Sequence, residues 1–515
     1  MTANKTNNSI SSDDLIRALS ESSAYPHAAQ SPVTVHETHI SWVFLVGEFA
    51  YKVKKPIKTS FLDYGTLEKR HKFCEEELRL DARYSEGLYL EVVPITLVDG
   101  TPRMDGPGEP FEYAVKMSRF PENALLSQRL ELGALPSTEI QQLASTVAKF
   151  HQGAFKIDSN SPWGRPDSVL RNALDNFQDL EAAVTGDELT TLQVLKAWTL
   201  EYFAEHQHEF QRRIANGFIR ECHGDLHLAN IVYWNGHLMP FDGIEFNEDF
   251  RWIDVLSDAA FLAMDFAARG HLELCRSFIN AYLEQTGDYA SLTSLRWYLV
   301  YRALVRAKVA ALRADQAGQS ESDRQRARED CAQHIDLAHR FSVREEPCLW
   351  ITHGFSGSGK TTQSEILVQR RDAIRVRSDV ERKRYSGLER NERPDQKTQQ
   401  ELYCESATHA TYERLRQLAI GILRAGYSVV VDATFLKRND RQLFKSTADS
   451  EGVRFAILDC HADEQTLRQR VADRVAKNND ASDANIRVLE EQLASHDPLS
   501  ERELKYICGI PSKCP

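Results

Sequence analysis

Eight consecutive residues, Gly354-Phe355-Ser356-Gly357-Ser358-Gly359-Lys360-Thr361, carry every fixed position of a phosphate-binding loop. Glycines at 354, 357 and 359 let the backbone wind tightly, so that its N–H groups point inward at phosphate oxygens. Lys360 supplies a mobile positive charge for the β- and γ-phosphates, and Thr361 a hydroxyl for Mg²⁺. Ser358 and Thr362 complete the candidate nucleotide-contacting set. The loop fixes a ligand class, a nucleoside triphosphate, with ATP and Mg²⁺ as the expected pair.

A second set lies far upstream, in His223-Gly224-Asp225-Leu226-His227-Leu228-Ala229-Asn230. Asp225 and Asn230 have the separation of the catalytic Asp and the Mg²⁺-binding Asn in a kinase catalytic loop. An apolar run then leads to Phe241-Asp242-Gly243, where Asp242 is the candidate second Mg²⁺ ligand. Phosphoryl transfer needs such a set: one carboxylate for the acceptor hydroxyl, one amide and one carboxylate for metal. A lysine must also reach the phosphates from a strand. Lys52 and Lys54 share one strand face; analogy with V-A-I-K favours Lys54, and Lys52 stays open. The acidic partner is expected in Glu75-Glu76-Glu77, with Glu77 favoured. Glu245 and Asp254 either join the metal and acceptor site or fix the loop.

Around the P-loop, Asp379 follows the second strand, where ligand groups gather in open α/β sheets. It is either a general base for an acceptor hydroxyl or a helix cap. Asp432 ends the third strand and either holds a Mg²⁺-bound water or caps. Arg470 and Arg474 lie one turn apart, able to close over phosphates in the transition state. Arg438 and Arg441 are weaker candidates for the same work, and the stretch with Asn478-Asn479-Asp480 reads as a mobile lid.

The set Gly354–Thr361, Ser378-Asp379, Asp432-Ala433-Thr434 and Arg470…Arg474 resembles small P-loop kinases. That group includes gluconate kinase, the zeta-toxin sugar-nucleotide kinases and the 5′-hydroxyl kinase part of phage polynucleotide kinase. The resemblance covers about residues 346–515 and implies phosphoryl transfer to a hydroxyl, with Asp379 as base. The upstream set resembles the aminoglycoside phosphotransferase-like branch of the protein-kinase fold, over about residues 30–340. Gly224 stands where protein kinases have the Arg of H-R-D. No G-x-G-x-x-G loop precedes Lys52 and there is no A-P-E segment, which argues against a protein kinase. The domain order resembles bacterial proteins described as bifunctional aminoglycoside phosphotransferase/ATP-binding proteins.

The elements that must position these residues follow from periodicity. Residues 39–54 alternate as a hairpin about Gly47-Glu48, residues 66–84 are helical in spacing, and 90–97 and 111–117 read as strands. Beyond about 122 the pattern turns helical, interrupted at 218–246. From 348 strands and helices alternate, which implies a parallel sheet covered on both faces. The expected fold class is multi-domain α+β and α/β: a protein-kinase-like, bilobal domain at 31–340, then a P-loop parallel-sheet domain at 346–515. Residues 1–30 read as polar and in part disordered, and Val343–Pro347 as a linker.

The 515 residues exceed one ordinary core. The net charge of −12 falls almost wholly on the first two thirds, which disfavours broad nucleic-acid binding there. Nine scattered cysteines without a C-x-x-C pair fit a reduced compartment and no zinc site. With no apolar run of membrane-spanning length and a polar N-terminus, the chain is expected to be cytoplasmic and free of the membrane. The leading expectation is an ATP-dependent phosphotransferase with two sites acting on hydroxyls of small metabolites. Arg375, Arg382, Arg384 and Arg438 motivate an alternative, 5′-hydroxyl polynucleotide end repair. A nucleotide-loaded regulatory ATPase is the non-transferase alternative. Arg302 and Arg306, one turn apart, either meet an anionic acceptor or form a salt-bridged helix face. The acceptor and the oligomeric state are not readable.

Overall fold

The computed structural model describes residues 10–27, 32–59, 62–133, 135–158, 161–316, 318–390, 392–477, 482 and 484–509. The lid expected around Asn478-Asn479-Asp480 lies outside the described residues. The chain divides into two compact units. The first comprises Met1–Leu135, Lys149–Gly164 and Gly217–Asp258; the second comprises Pro136–Ala148, Arg165–Asn216 and Ala259–Pro515.

The first unit is built on a six-stranded sheet whose pairings are all antiparallel. The expected hairpin is present as Ser41–Val46 and Phe49–Lys54, with Gly47 in the left-handed region at φ +58°. Alternation sends Tyr51 and Val53 into a core with Phe44, Ile95 and Met104. It sends Ala50 to the opposite face, against Cys74, Val115, Val232 and Met239. Lys52 and Lys54 share that second face, where the helix Leu67–Asp81 brings Glu77. Thr66 caps this helix, accepting from the Lys69 N–H at 3.3 Å.

Two features go beyond the sequence expectation. Residues Ser12–Leu19 form a capped helix, whose Leu15 and Leu19 enter the sheet core. The edge strands Thr34–Glu37 and Thr101–Met104 carry too little apolar alternation to be read in advance.

The segment after Asn230 places the candidates Asn230 and Asp242 at the two ends of one hairpin. Ile231–Trp234 and His237–Pro240 form a hairpin closed by Asn235-Gly236, both with positive φ, the signature of a tight two-residue turn. The hairpin returns the chain so that Phe241 N–H donates to Asn230 O at 2.9 Å. Asn230 and Asp242 therefore flank one hairpin.

The second unit contains a four-stranded parallel sheet. Its order is Ala373–Arg377, Ser428–Asp432, Cys348–His353, Arg454–Asp459. The helices Lys360–Arg370, Glu405–Arg424 and Arg438–Ser450 connect or follow these strands, as parallel pairing requires. Strand ends Arg377 and Asp432 lie in register, and His353 leads straight into Gly354. The rest of the unit is helical, with Leu292–Ala314 and Glu321–Ser342 the two helices most extensively packed together. The fold is thus of the expected mixed class, antiparallel α+β followed by a P-loop α/β sheet.

Candidate functional site

In the first unit, Lys52 and Lys54 converge on one buried carboxylate. Lys52 Nζ donates to Glu77 Oε1 at 2.8 Å and also pairs with Asp242. Lys54 Nζ donates to Glu77 Oε2 at 2.6 Å and pairs with Glu245, which Tyr64 OH also reaches. Burial alone would raise the Glu77 carboxyl, but the two ammonium groups overcome it and hold it at about 2. Both lysines sit above their ordinary value: burial opposes their charge, and the carboxylates outweigh it. The two lysines differ in what lies beyond. Glu245, the outer partner of Lys54, is buried, whereas the Asp242 side chain is 41% exposed. Lys52 thus faces the open side of the network and Lys54 its interior, with Glu245 buried against Lys54 and Tyr64.

The catalytic-loop candidates are held mainly by backbone contacts. Asn230 Nδ2 donates to Asp225 O at 3.0 Å and to Asp225 Oδ2 at 3.2 Å, and His227 Nε2 lies 3.3 Å from the same oxygen. His223 lies 2.9 Å from Phe241 O through Nε2, while its Nδ1 accepts from Asp225 N–H at 3.3 Å. Burial keeps this imidazole below its ordinary pKa, so the neutral ring serves as a strut. Gly224 has φ +87°, and a Cβ there would stand 2.7 Å from Phe250 O. That close approach is why no larger residue fits at the position of the kinase Arg.

Three residues not singled out in advance support this loop. Asp258 accepts from His223 N–H and Gly224 N–H, both at 3.0 Å, and meets His151 Nε2 at 3.1 Å. Asp81 accepts from Gly243 N–H at 3.0 Å and from Tyr84 OH at 2.7 Å. Burial pushes its carboxyl well above the usual range. Tyr64 closes on Glu245. Asp81 lies one turn beyond Glu77, and Asp258 interrupts an apolar helix; those were the available signals. Asp254 accepts from Leu256 N–H at 2.8 Å, a local helix-start contact.

In the second unit, one cavity of about 410 Å³ is lined by Lys360, Thr361, Asp379, Asp432 and Arg474. Gly354, Gly357 and Gly359 all have positive φ; a Cβ on Gly354 would stand 2.3 Å from Cys460 O, and on Gly357 2.9 Å from Leu467 O. The loop is therefore wound as its glycines require. Lys360 Nζ donates to Phe355 O at 2.7 Å, and burial lowers its ammonium pKa. Ser358 lines the loop with a buried hydroxyl that finds no hydrogen-bond partner among the described residues. Ser364 Oγ donates to Asp432 Oδ2 at 3.1 Å, tying the P-loop helix to the third strand end. Thr362 is exposed on the first turn of that helix.

Asp379 sits in the first turn of the helix Ser378–Tyr385, whose cap is Arg377 without a side-chain bond, so Asp379 does not cap it. Its Oδ1 lies 3.4 Å from Arg382 Nη1. Arg470 Nη1 donates to Gly357 O at 3.2 Å, and Arg474 Nη2 to Ala484 O at 3.0 Å.

Other arginines weighed from the sequence have structural work. Arg441 is buried, donating to Glu503 at 2.7 Å and to Phe435 O at 3.0 Å. At Arg438 it is the backbone N–H, not the guanidinium, that donates to Asp497 Oδ2 at 3.0 Å. Arg375 and Arg377 pair with buried Glu284 at 3.3 and 3.2 Å, joined by Arg390 at 3.1 Å. Burial opposes the Glu284 charge, but these guanidiniums hold its carboxyl at about 2. Arg384 pairs with Glu381. Arg302 is buried, 4.7 Å from the Phe261 ring centre.

No helix among the described residues is long and apolar enough to cross a membrane.

Residues 349–499 match a family model described as an AAA domain. Proteins of Mycobacterium bovis and Mycobacterium tuberculosis, each described as an uncharacterized protein, are 27% identical over 463 residues. The match spans 89% of this chain and 90% of each relative. Among solved structures, a choline/ethanolamine kinase family protein from Mesorhizobium loti aligns at 10% identity. It covers 63% of this chain and 99% of its own, with a TM-score of 0.36. An amicoumacin kinase in complex with AMP-PNP, Ca²⁺ and Ami aligns at 14% identity, covering 59% and 88%, with a TM-score of 0.38. A Plasmodium vivax ethanolamine kinase aligns at 13%, covering 60% and 84%, also at 0.38.

Proposed function

We propose that this chain is a cytoplasmic ATP-dependent phosphotransferase with two catalytic sites, one in residues 31–340 and one in 346–515. Each moves the γ-phosphoryl group to a hydroxyl of a small molecule. The observation that carries the reading is the shared cavity of Lys360, Thr361, Asp379 and Arg474. It supplies a phosphate charge, a metal hydroxyl, a base and a transition-state cation together.

In the second site Asp379 takes the acceptor proton as the hydroxyl oxygen bonds to the γ-phosphorus. The bond from that phosphorus to the bridging oxygen breaks, and ADP leaves. Lys360 and the loop N–H groups hold the phosphates, and Arg470 and Arg474 neutralise developing charge. A partly buried cation whose hydrogen-bond partner among the described residues is a backbone carbonyl suits an incoming anion. In the first site Asp225 is the base, Lys52 the phosphate-contacting lysine, and Glu77 its positioning partner. The choice of Lys52 over the lysine favoured by analogy rests on its pairing with the half-open Asp242. Asn230 and Asp242, and Thr361 with Asp432, offer the oxygen ligands that Mg²⁺ takes. When bound, that ion neutralises charge on the phosphate oxygens.

A small acceptor is preferred to an oligonucleotide because Arg375 and Arg384 are engaged by Glu284 and Glu381. The test is transfer from γ-labelled ATP to a pooled metabolite extract and to a 5′-hydroxyl oligonucleotide. It compares the full chain with Asp225→Asn and Asp379→Asn. Label on a small molecule, lost with one substitution, assigns that site. Label on the oligonucleotide, or released only as phosphate, overturns the reading.

A further inference from the structure

A second cavity, of about 490 Å³, lies in the second unit away from the P-loop. The helices Leu272–Thr286, Leu292–Ala314 and Glu321–Ser342 wall it, together with the start of the strand Ala373–Arg377. Most of that wall is apolar, with Ile279, Leu295, Leu299 and Leu337 prominent. The volume lies within the roughly 300–1,000 Å³ typical of small-molecule sites.

Two buried polar groups interrupt the apolar wall. Arg296 donates through Nη1 to Phe341 O at 2.9 Å and Val343 O at 2.8 Å, and its Nη2 lies 3.4 Å from Asp372. Its Nε has no acceptor among the described residues. The Arg296 guanidinium lies 4.9 Å from the ring centre of Tyr427, whose buried hydroxyl also has no hydrogen-bond partner among the described residues. Burial raises this phenol, so it stays a neutral donor. Buried donors without acceptors are uncommon because desolvation goes uncompensated. Arg276 adds positive charge to the lining, as does Arg340, which pairs with Asp336 at 3.1 Å; the acids there are Glu345 and Asp372, and Arg296 engages Asp372.

We propose that this cavity binds a small amphiphilic organic anion: an apolar body among the leucines, with a carboxylate-type head accepting from Arg296 and Tyr427. The occupant lies against side chains that hold the sheet edge. Asn280 donates to Ala373 O at 3.1 Å and accepts from Arg375 N–H at 2.7 Å, covering the edge strand. Arg276 donates to Gln369 O at 3.1 Å, at the end of the P-loop helix.

The test is calorimetric titration of the full chain with decanoate and with decylammonium, both below micellar concentration. One decanoate per chain is expected, binding about tenfold or more tightly than decylammonium. Leu299→Trp, which fills the cavity, and Val343→Trp, at its exposed rim, each weaken decanoate about tenfold or more. Tyr427→Phe weakens it about threefold. Amide exchange at residues 373–375 slows on binding. Absent saturation, equal affinity for both head groups, or unchanged binding in the tryptophan variants overturns the proposal. Should Leu299→Trp lose its cooperative unfolding, the surface substitution Val343→Trp decides alone.

Discussion

The two candidate phosphate sites hold their lysines in opposite ways. Around Lys360 the chain uses local backbone: glycines at positive φ wind the loop, and the lysine leans on Phe355 O. Around Lys52 it uses charges drawn from distant segments, with Glu77 shared by two lysines and with Asp242 and Glu245 closing the network. The lysine pKa values follow: burial wins at Lys360 and lowers it, while carboxylates win at Lys52 and raise it. A local loop keeps a cation poised for an anion. A dispersed site must instead neutralise its cations internally, and its stability depends on every member.

That contrast is broken most forcefully at Glu77. Glu77→Gln removes the one carboxylate shared by both lysines, leaving Lys52 only Asp242 and Lys54 only Glu245, and should cost about 3–5 kcal/mol in denaturant unfolding of the first unit. A loss under about 1 kcal/mol would contradict the shared-carboxylate account. The next sharpest test separates the two lysines. Lys52→Met is expected to lower transfer at the first site about a hundredfold. Lys54→Met should act first on unfolding, and equal kinetic effects from both would reverse the assignment. Gly224→Ala comes third. The strained φ and the contact with Phe250 O should cost about 1–3 kcal/mol and slow the first site, leaving P-loop turnover unchanged.

The smallest effect is acid sensitivity. Glu77 and Glu284 have folded pKa values near 2, below their ordinary 4.5. A depressed carboxylate contributes stability that is fully present above the unfolded value and is lost as pH falls toward the folded one. Between pH 7 and 5 the change should stay below roughly 1 kcal/mol, steepening from about 4.5 downward. Glu284→Gln should flatten that acid limb for the second unit, and an unchanged limb would remove Glu284 from the account.

What the sequence disclosed follows the same division. The P-loop was legible because eight adjacent residues carry it, and the alternation after residue 348 matched the parallel sheet closely. Asp225, Asn230 and Asp242 were legible as a spacing, and the Asn235-Gly236 hairpin explains how they meet. The choice between Lys52 and Lys54 was not legible, because both occupy one face and only the positions of Asp242 and Glu245 distinguish them. Nor was the fate of Arg375 and Arg441, since a surface arginine and a buried pin look alike in sequence. The helix Ser12–Leu19 was hidden by its polar surroundings; two leucines sufficed to dock it.

The most direct measurement of the central claim is the number of non-hydrolysable ATP molecules bound per chain with Mg²⁺ present. It is to be taken on the full protein, on Lys360→Ala and on Asp242→Asn. Two independent nucleotide sites predict two equivalents in the full protein and one in each variant, with the survivor's affinity unchanged. A single equivalent in the full protein, abolished by one substitution and untouched by the other, would contradict it.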